Sequence, residues 1–138
     1  MSKLFVDTSG WASLFHPDDL FHTQAESIYK NIRKEGTRLV TTNYIIAETV
    51  ALLTSPFRTP RQAVIDFVNG IKTSALVEIV HIDEALDDRA WDLLSNREDK
   101  KWSLVDCSSF VVMSERGLTD ALTNDHNFEQ AGFVRLLK

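Results

Sequence analysis

Leu4-Phe5-Val6-Asp7-Thr8-Ser9-Gly10 opens the chain's reading, because it sets an apolar, strand-prone triplet directly against a polar turn. Such a run is a short buried strand whose carboxyl end meets a helix start. A brief helical piece carrying Trp11, Leu14 and Phe15 follows and ends before Pro17. From His22 to Lys34, Ala25, Ile28, Tyr29 and Ile32 recur at i, i+3, i+4, i+7, the signature of an amphipathic helix, which Gly36 stops. Arg38–Thr42 reads as a second strand, and Asn43 as the cap of a helix, Tyr44–Leu53, apolar nearly all round except at Glu48. Thr59-Pro60-Arg61-Gln62 has the order of a helix start, with Thr at the cap, before the buried stripe Ala63, Val64, Phe67, Val68 and Ile71.

The alternation continues. Leu76–Val80 is a third strand, and Asp83 caps a helix carrying Leu86, Ala90, Trp91 and Leu94. After the charged loop Asn96–Lys101, Ser103-Leu104-Val105-Asp106 matches a capping box ahead of Phe110–Met113, in a helix ended by Gly117. Asp120–Thr123 and Val134–Leu137 supply two last strands. Strands and helices alternating along the whole length predict an α/β fold: a central, mainly parallel five-stranded sheet with helices on both faces. Ligands in such sheets bind beyond the carboxyl ends of the strands, where the strand order reverses.

The chain of 138 residues is the size of one domain, so residues 1–138 are read as a single unit. It is 43% hydrophobic and 25% charged, which excludes disordered and collagenous classes. A single cysteine, Cys107, leaves no internal disulfide and no thiolate cluster. The start lacks a long apolar segment, and no stretch is long and apolar enough to span a membrane, so a soluble cytoplasmic protein is expected. The net charge of -5 argues against a nonspecific nucleic-acid binder, unless part of the acidity belongs to a site.

Four acids stand where a site would be. Asp7 ends the first strand, Glu48 interrupts the most apolar helix, Asp106 lies in the first turn of its helix, and Asp125 follows the fourth strand. Each has a structural alternative. Asp7 suits a helix cap, Asp106 the capping box, Asp125 turn chemistry, and Glu48 an arginine partner. Taken together, converging carboxylates repel one another and need a divalent cation. Oxygen ligands without a His or Cys set select Mg²⁺ or Mn²⁺, and such a cation supplies a hydroxide and clamps a phosphate. Setting these four acids aside leaves a surface near neutral.

The segments Phe5–Ser9, Tyr44–Thr49, Trp102–Phe110 and Ala121–Phe133 resemble the PIN-domain ribonucleases, and more closely the VapC toxins of toxin–antitoxin pairs. The resemblance implies a metal-dependent endoribonuclease that hydrolyses RNA phosphodiester bonds. It also implies that Asp7, Glu48, Asp106 and Asp125 bind Mg²⁺ or Mn²⁺ and activate water, with support from the hydroxyl of Thr8 or Ser9. An antitoxin partner and a homodimer are implied as well. Two features depart from the family pattern: Val105 precedes the third acid where a hydroxyl is common, and Asn124-Asp125-His126-Asn127 replaces more familiar wording. For RNA contacts the sequence offers Arg58, Arg61, Arg97, Lys100 and Lys101. Trp102 is read either as a base-stacking platform or as a core residue, and His126 either as an ordinary surface or packing residue or as a side chain within reach of substrate. Two competing readings are a catalytically weak PIN-like scaffold acting through a partner, and phosphoryl transfer with Asp7 as nucleophile. A serine hydrolase centred on Ser9 lacks the necessary elbow and a His partner.

Overall fold

A computed structural model describes residues 3–138; Met1 and Ser2, part of the start judged free of a leader pattern, lie outside the described residues. The strands are β1 (Lys3–Val6), β2 (Arg38–Thr42), β3 (Val77–Val80), β4 (Asp120–Leu122) and β5 (Val134–Arg135). The helices are α1 (Thr8–Phe15), α2 (His22–Glu35), α3 (Asn43–Thr54), α4 (Arg61–Thr73), α5 (Glu84–Asn96), α6 (Leu104–Arg116) and α7 (Asn127–Gln130). All five strands are parallel in the order β3-β2-β1-β4-β5. No helix among the described residues is long and apolar enough to cross a membrane.

This order fixes where a site forms. The chain steps outward from β1 to β3, then crosses back to place β4 on β1's other side, in the register Phe5 to Ala121 and Val6 to Leu122. Right-handed crossovers then set α1–α4 on one face and α5–α7 on the other. The packing agrees. Trp11 of α1 meets Phe67 of α4 edge-on, while Phe110 of α6 meets Phe128 of α7, which lies against Phe5. The reversal falls between β1 and β4, so the segments leaving their carboxyl ends frame one crevice.

Gly10 lets these two segments approach. A Cβ there would lie 2.1 Å from the Leu122 carbonyl oxygen, so only glycine allows the first turn of α1 to rest on the end of β4. The end of β1 is tied sideways as well, because Thr41 of β2 donates to the Val6 carbonyl (3.0 Å) and accepts the Trp11 indole N–H (3.1 Å).

Several expected details are corrected. Thr42, not Asn43, caps α3 by accepting the Ile45 N–H. The Asn43 side chain instead accepts the Ile82 N–H, holding the chain after β3. The cap of α4 is Pro60 and makes no side-chain bond, because the helix begins one residue later than the Thr-Pro pattern implies. Trp91 is 54% exposed and is no part of the α5 core stripe, which rests on Ala90. Strand β4 ends at Leu122 and β5 at Arg135, and the one-turn helix α7 carries no periodicity long enough to announce it.

Candidate active site

Asp7, Thr8, Ser9, Glu48, Asp106, Asn124, Asp125 and His126 line one cleft of about 490 Å³ at the carboxyl edge of the sheet. All four acids singled out by the sequence are therefore brought together, from β1, α3, α6 and the segment after β4.

The Asp7 carboxylate accepts more hydrogen bonds than any of the other three. It caps α1, as its structural alternative holds, and faces the cleft too: its Oδ1 accepts the Gly10 N–H (2.9 Å) and the Ser9 hydroxyl (2.8 Å). Its Oδ2 accepts the Thr123 hydroxyl (2.7 Å). Those hydroxyls also grip the far segment, since Thr123 Oγ1 accepts the Asp125 N–H and Ser9 Oγ accepts the Asn124 N–H, each at 3.0 Å. Arg135 holds the Asn124 carbonyl (2.9 Å), so β5 braces the same turn. Burial pushes the Asp7 carboxyl up to about 7, against the lowering pull of its three donors. With both oxygens held by donors, Asp7 is poorly placed as a nucleophile, which counts against the aspartyl-phosphate reading.

Asp106 forms the capping box that the sequence predicts: Ser103 Oγ accepts its N–H (3.0 Å) and its Oδ2 accepts the Ser103 N–H (3.1 Å). Its carboxyl is raised, by burial first, and further by the negative charges of Asp125 and Glu48. Asp125 shapes its own turn, Oδ1 accepting the Asn127 N–H (2.9 Å). Glu48 is half-buried rather than sunk in an apolar surround, because α3 turns Ala47 and Ala51 to solvent on the same side. It accepts the Thr8 hydroxyl and forms no ion pair among the described residues, so the arginine alternative is not what holds it.

Among the described residues, no three His, Cys, Asp or Glu side chains are drawn into a ready-made ligand cage. Each carboxylate is instead engaged by protein donors: Asp7 by Gly10, Ser9 and Thr123, Glu48 by Thr8, Asp106 by Ser103 and Asp125 by Asn127. The donor set nevertheless fits a hydrated hard cation. It consists of carboxylate and hydroxyl oxygens, and Mg²⁺ keeps several waters and binds through few direct carboxylates. Two of the acids are held above their ordinary range by burial and mutual repulsion, an expense a divalent cation would offset.

Of the other candidates, Arg58, Arg61 and Lys101 are exposed, and with Lys100 they form no ion pair among the described residues. Arg97 is engaged bidentately by Asp99. The stacking role weighed for Trp102 is corrected: the ring is 7% exposed, packed edge-on against Phe110, hydrogen-bonded to Gln130 and covered by Arg97. Cys107 is fully buried, and burial followed by the charge of Asp106 pushes its thiol up to about 11, so it is inert. Sequence reasoning missed Gly10, Thr123 and Asn127. All three lie within or next to the segments that carry the acids, but the roles of Gly10 and Thr123 depend on the β1–β4 pairing.

A PIN domain family model matches residues 4–134. The 23S rRNA-specific endonuclease VapC20 of Mycobacterium tuberculosis, from strains CDC 1551 / Oshkosh and ATCC 25618 / H37Rv, is 32% identical over 133 residues, 96% of this chain and 97% of the relative. The crystal structure of M. tuberculosis VapC20, described as a sarcin-ricin loop cleaving toxin, superposes with a TM-score of 0.83 at 31% identity, covering 98% of this chain and 99% of that one. FitAcB from Neisseria gonorrhoeae, at 14% identity and a TM-score of 0.68 over 98% of this chain and 96% of that one, shares the fold.

Proposed function

The chain belongs to the PIN-domain family, and we propose that it is a divalent-cation-dependent endoribonuclease of the VapC toxin type, hydrolysing RNA phosphodiester bonds. The observation that carries this is the convergence of Asp7, Glu48, Asp106 and Asp125 on one cleft at the strand-order reversal. The similarity to an RNA-cutting toxin over nearly the whole chain supports it. A structured ribosomal RNA loop is the substrate class this similarity favours. RNA, an antitoxin protein that shields the acidic cleft and a second copy of the chain are the partners we assign, in the cytoplasm.

Mg²⁺ or Mn²⁺, when bound, would lower the pKa of a bound water and neutralise charge on the phosphate. Asp7, Asp106 and Asp125 would hold it, directly or through water, and Glu48 would orient the attacking water. Thr8 fixes Glu48, and Ser9 and Thr123 fix Asp7, so the carboxylates meet the substrate already ordered. That order avoids reorganisation as charge develops. Arg58, Arg61, Lys100 and Lys101 supply backbone contacts to the RNA, and the exposed His126 at the cleft lip contacts the strand near the cut.

The test is incubation of purified protein with ribosomal, transfer and messenger RNA fragments in Mg²⁺, Mn²⁺ or EDTA, with the ends mapped. Discrete cleavage that EDTA abolishes is expected. Equal cleavage in EDTA would overturn the cation dependence, and intact RNA throughout would favour the scaffold reading.

A further inference from the structure

Among the described residues, Asn127 is the one that donates to the carboxylates of two of the four acids. Its backbone N–H donates to Asp125 Oδ1 (2.9 Å), and its side-chain amide donates to Asp106 Oδ2 (3.3 Å), 21 residues away on a different element. The Ser103 N–H falls on that same Asp106 Oδ2. The hydrogen bonds are thus distributed unevenly. One oxygen of each carboxylate is engaged, Asp106 Oδ2 by Ser103 and Asn127 together and Asp125 Oδ1 by Asn127, while Asp106 Oδ1 and Asp125 Oδ2 have no hydrogen-bond donor within the protein among the described residues. Asp106 and Asp125 also repel each other, and Asn127 donates to both, through its side chain to one and its backbone to the other.

We infer that Asn127 is a positioning residue that selects which oxygen each of Asp106 and Asp125 presents to a divalent cation, and so sets the cation affinity of the cleft. The inference rests on the proposed function above. Its physical basis is ordinary: donors behind a ligating carboxylate fix the ligand's orientation, and their loss weakens metal binding by about 10- to 100-fold. The backbone bond to Asp125 survives any side-chain change, so a substitution isolates the bond to Asp106.

Two variants of similar shape separate the donor from the packing. Asn127→Leu keeps the branched outline without a donor, and Asn127→His restores an N–H at nearly the same reach. Mn²⁺ is titrated calorimetrically into wild type and both variants, and melting is followed in EDTA. Cleavage is measured against Mn²⁺ concentration so that half-saturation and maximal rate are read separately. Wild type is expected to bind Mn²⁺. Asn127→Leu should bind it about 10-fold or more weakly, with the defect concentrated in half-saturation, and Asn127→His should stay within about 3-fold of wild type. Equal affinity in wild type and Asn127→Leu overturns the inference. So does an equal loss in both variants accompanied by lowered melting in EDTA, which would mark Asn127 as a packing residue. Absence of Mn²⁺ binding by wild type itself overturns the endoribonuclease reading instead.

Discussion

At the scale of single residues, Asp7 carries two duties that ordinarily exclude each other. As a cap it belongs to the fold, and as a buried carboxylate it burdens the fold until a cation arrives. Substituting Asp7→Asn separates them. The amide can donate to Thr123 Oγ1, whose own hydrogen can turn to Ser9 Oγ at 3.2 Å, so the network survives without the charge. We expect Asp7→Asn to lose at least about 100-fold in cleavage rate, the loss typical of removing one preorganised charge-stabilising group. Its circular dichroism should match wild type.

Metal-free stability should follow the same carboxyl. The unfolded chain releases the Asp7 proton near 3.8, whereas the folded chain keeps it to about 7. Between those values the folded state binds more protons, so stability is fullest below about pH 4 and falls as pH rises to about 7. The raised Asp106 adds in the same direction. Melting temperatures in EDTA across pH 4 to 8 should therefore decline with pH in wild type and decline less in Asp7→Asn. A profile identical in the two would show that Asp7 is not held protonated.

At the scale of elements, the contact between the first turn of α1 and the end of β4 is what brings the Asp7 and Asp125 segments together. Gly10→Ala would drive a methyl into the Leu122 carbonyl, so the two elements must separate. We expect a loss of about 1–3 kcal/mol, the usual cost of overpacking, read by urea denaturation. Cleavage should fall even at temperatures where the variant is folded. The elements themselves were largely legible in the sequence, because strand and helix alternated and Asp83, Ser103 and Gly117 carried true terminal signals. What was not legible needed partners distant in the chain. Thr42 displaced Asn43 as a cap because Asn43 is recruited by Ile82, and α5 turns Ala90 into the core and Trp91 to solvent. Asp7, Asp106 and Asp125 were readable from their positions at strand ends and a helix start, and Glu48 as the charge inside the most apolar helix. Thr123 was not, because its bond to Asp7 spans 116 residues and exists only through the β1–β4 register.

At the scale of the whole molecule, the reversal in strand order turns four scattered acids into one site, and their joint repulsion couples the site to global stability. A ligand that binds only the folded state raises stability by RT ln(1 + [L]/Kd), about 2.7 kcal/mol at a hundredfold excess over Kd. Saturating Mn²⁺ should accordingly raise the melting temperature of wild type, and raise it more at pH 8 than at pH 5, where protons already neutralise Asp7. A shift independent of pH would place the cation away from Asp7.

The convergence itself is most directly tested by anomalous diffraction from crystals soaked in Mn²⁺. The account predicts a peak in the cleft bounded by Asp7, Glu48, Asp106 and Asp125, within about 2.0–2.2 Å of a carboxylate oxygen or one bridging water beyond it. A cleft without a peak at saturating Mn²⁺, or a peak only at unrelated surface acids, would contradict it.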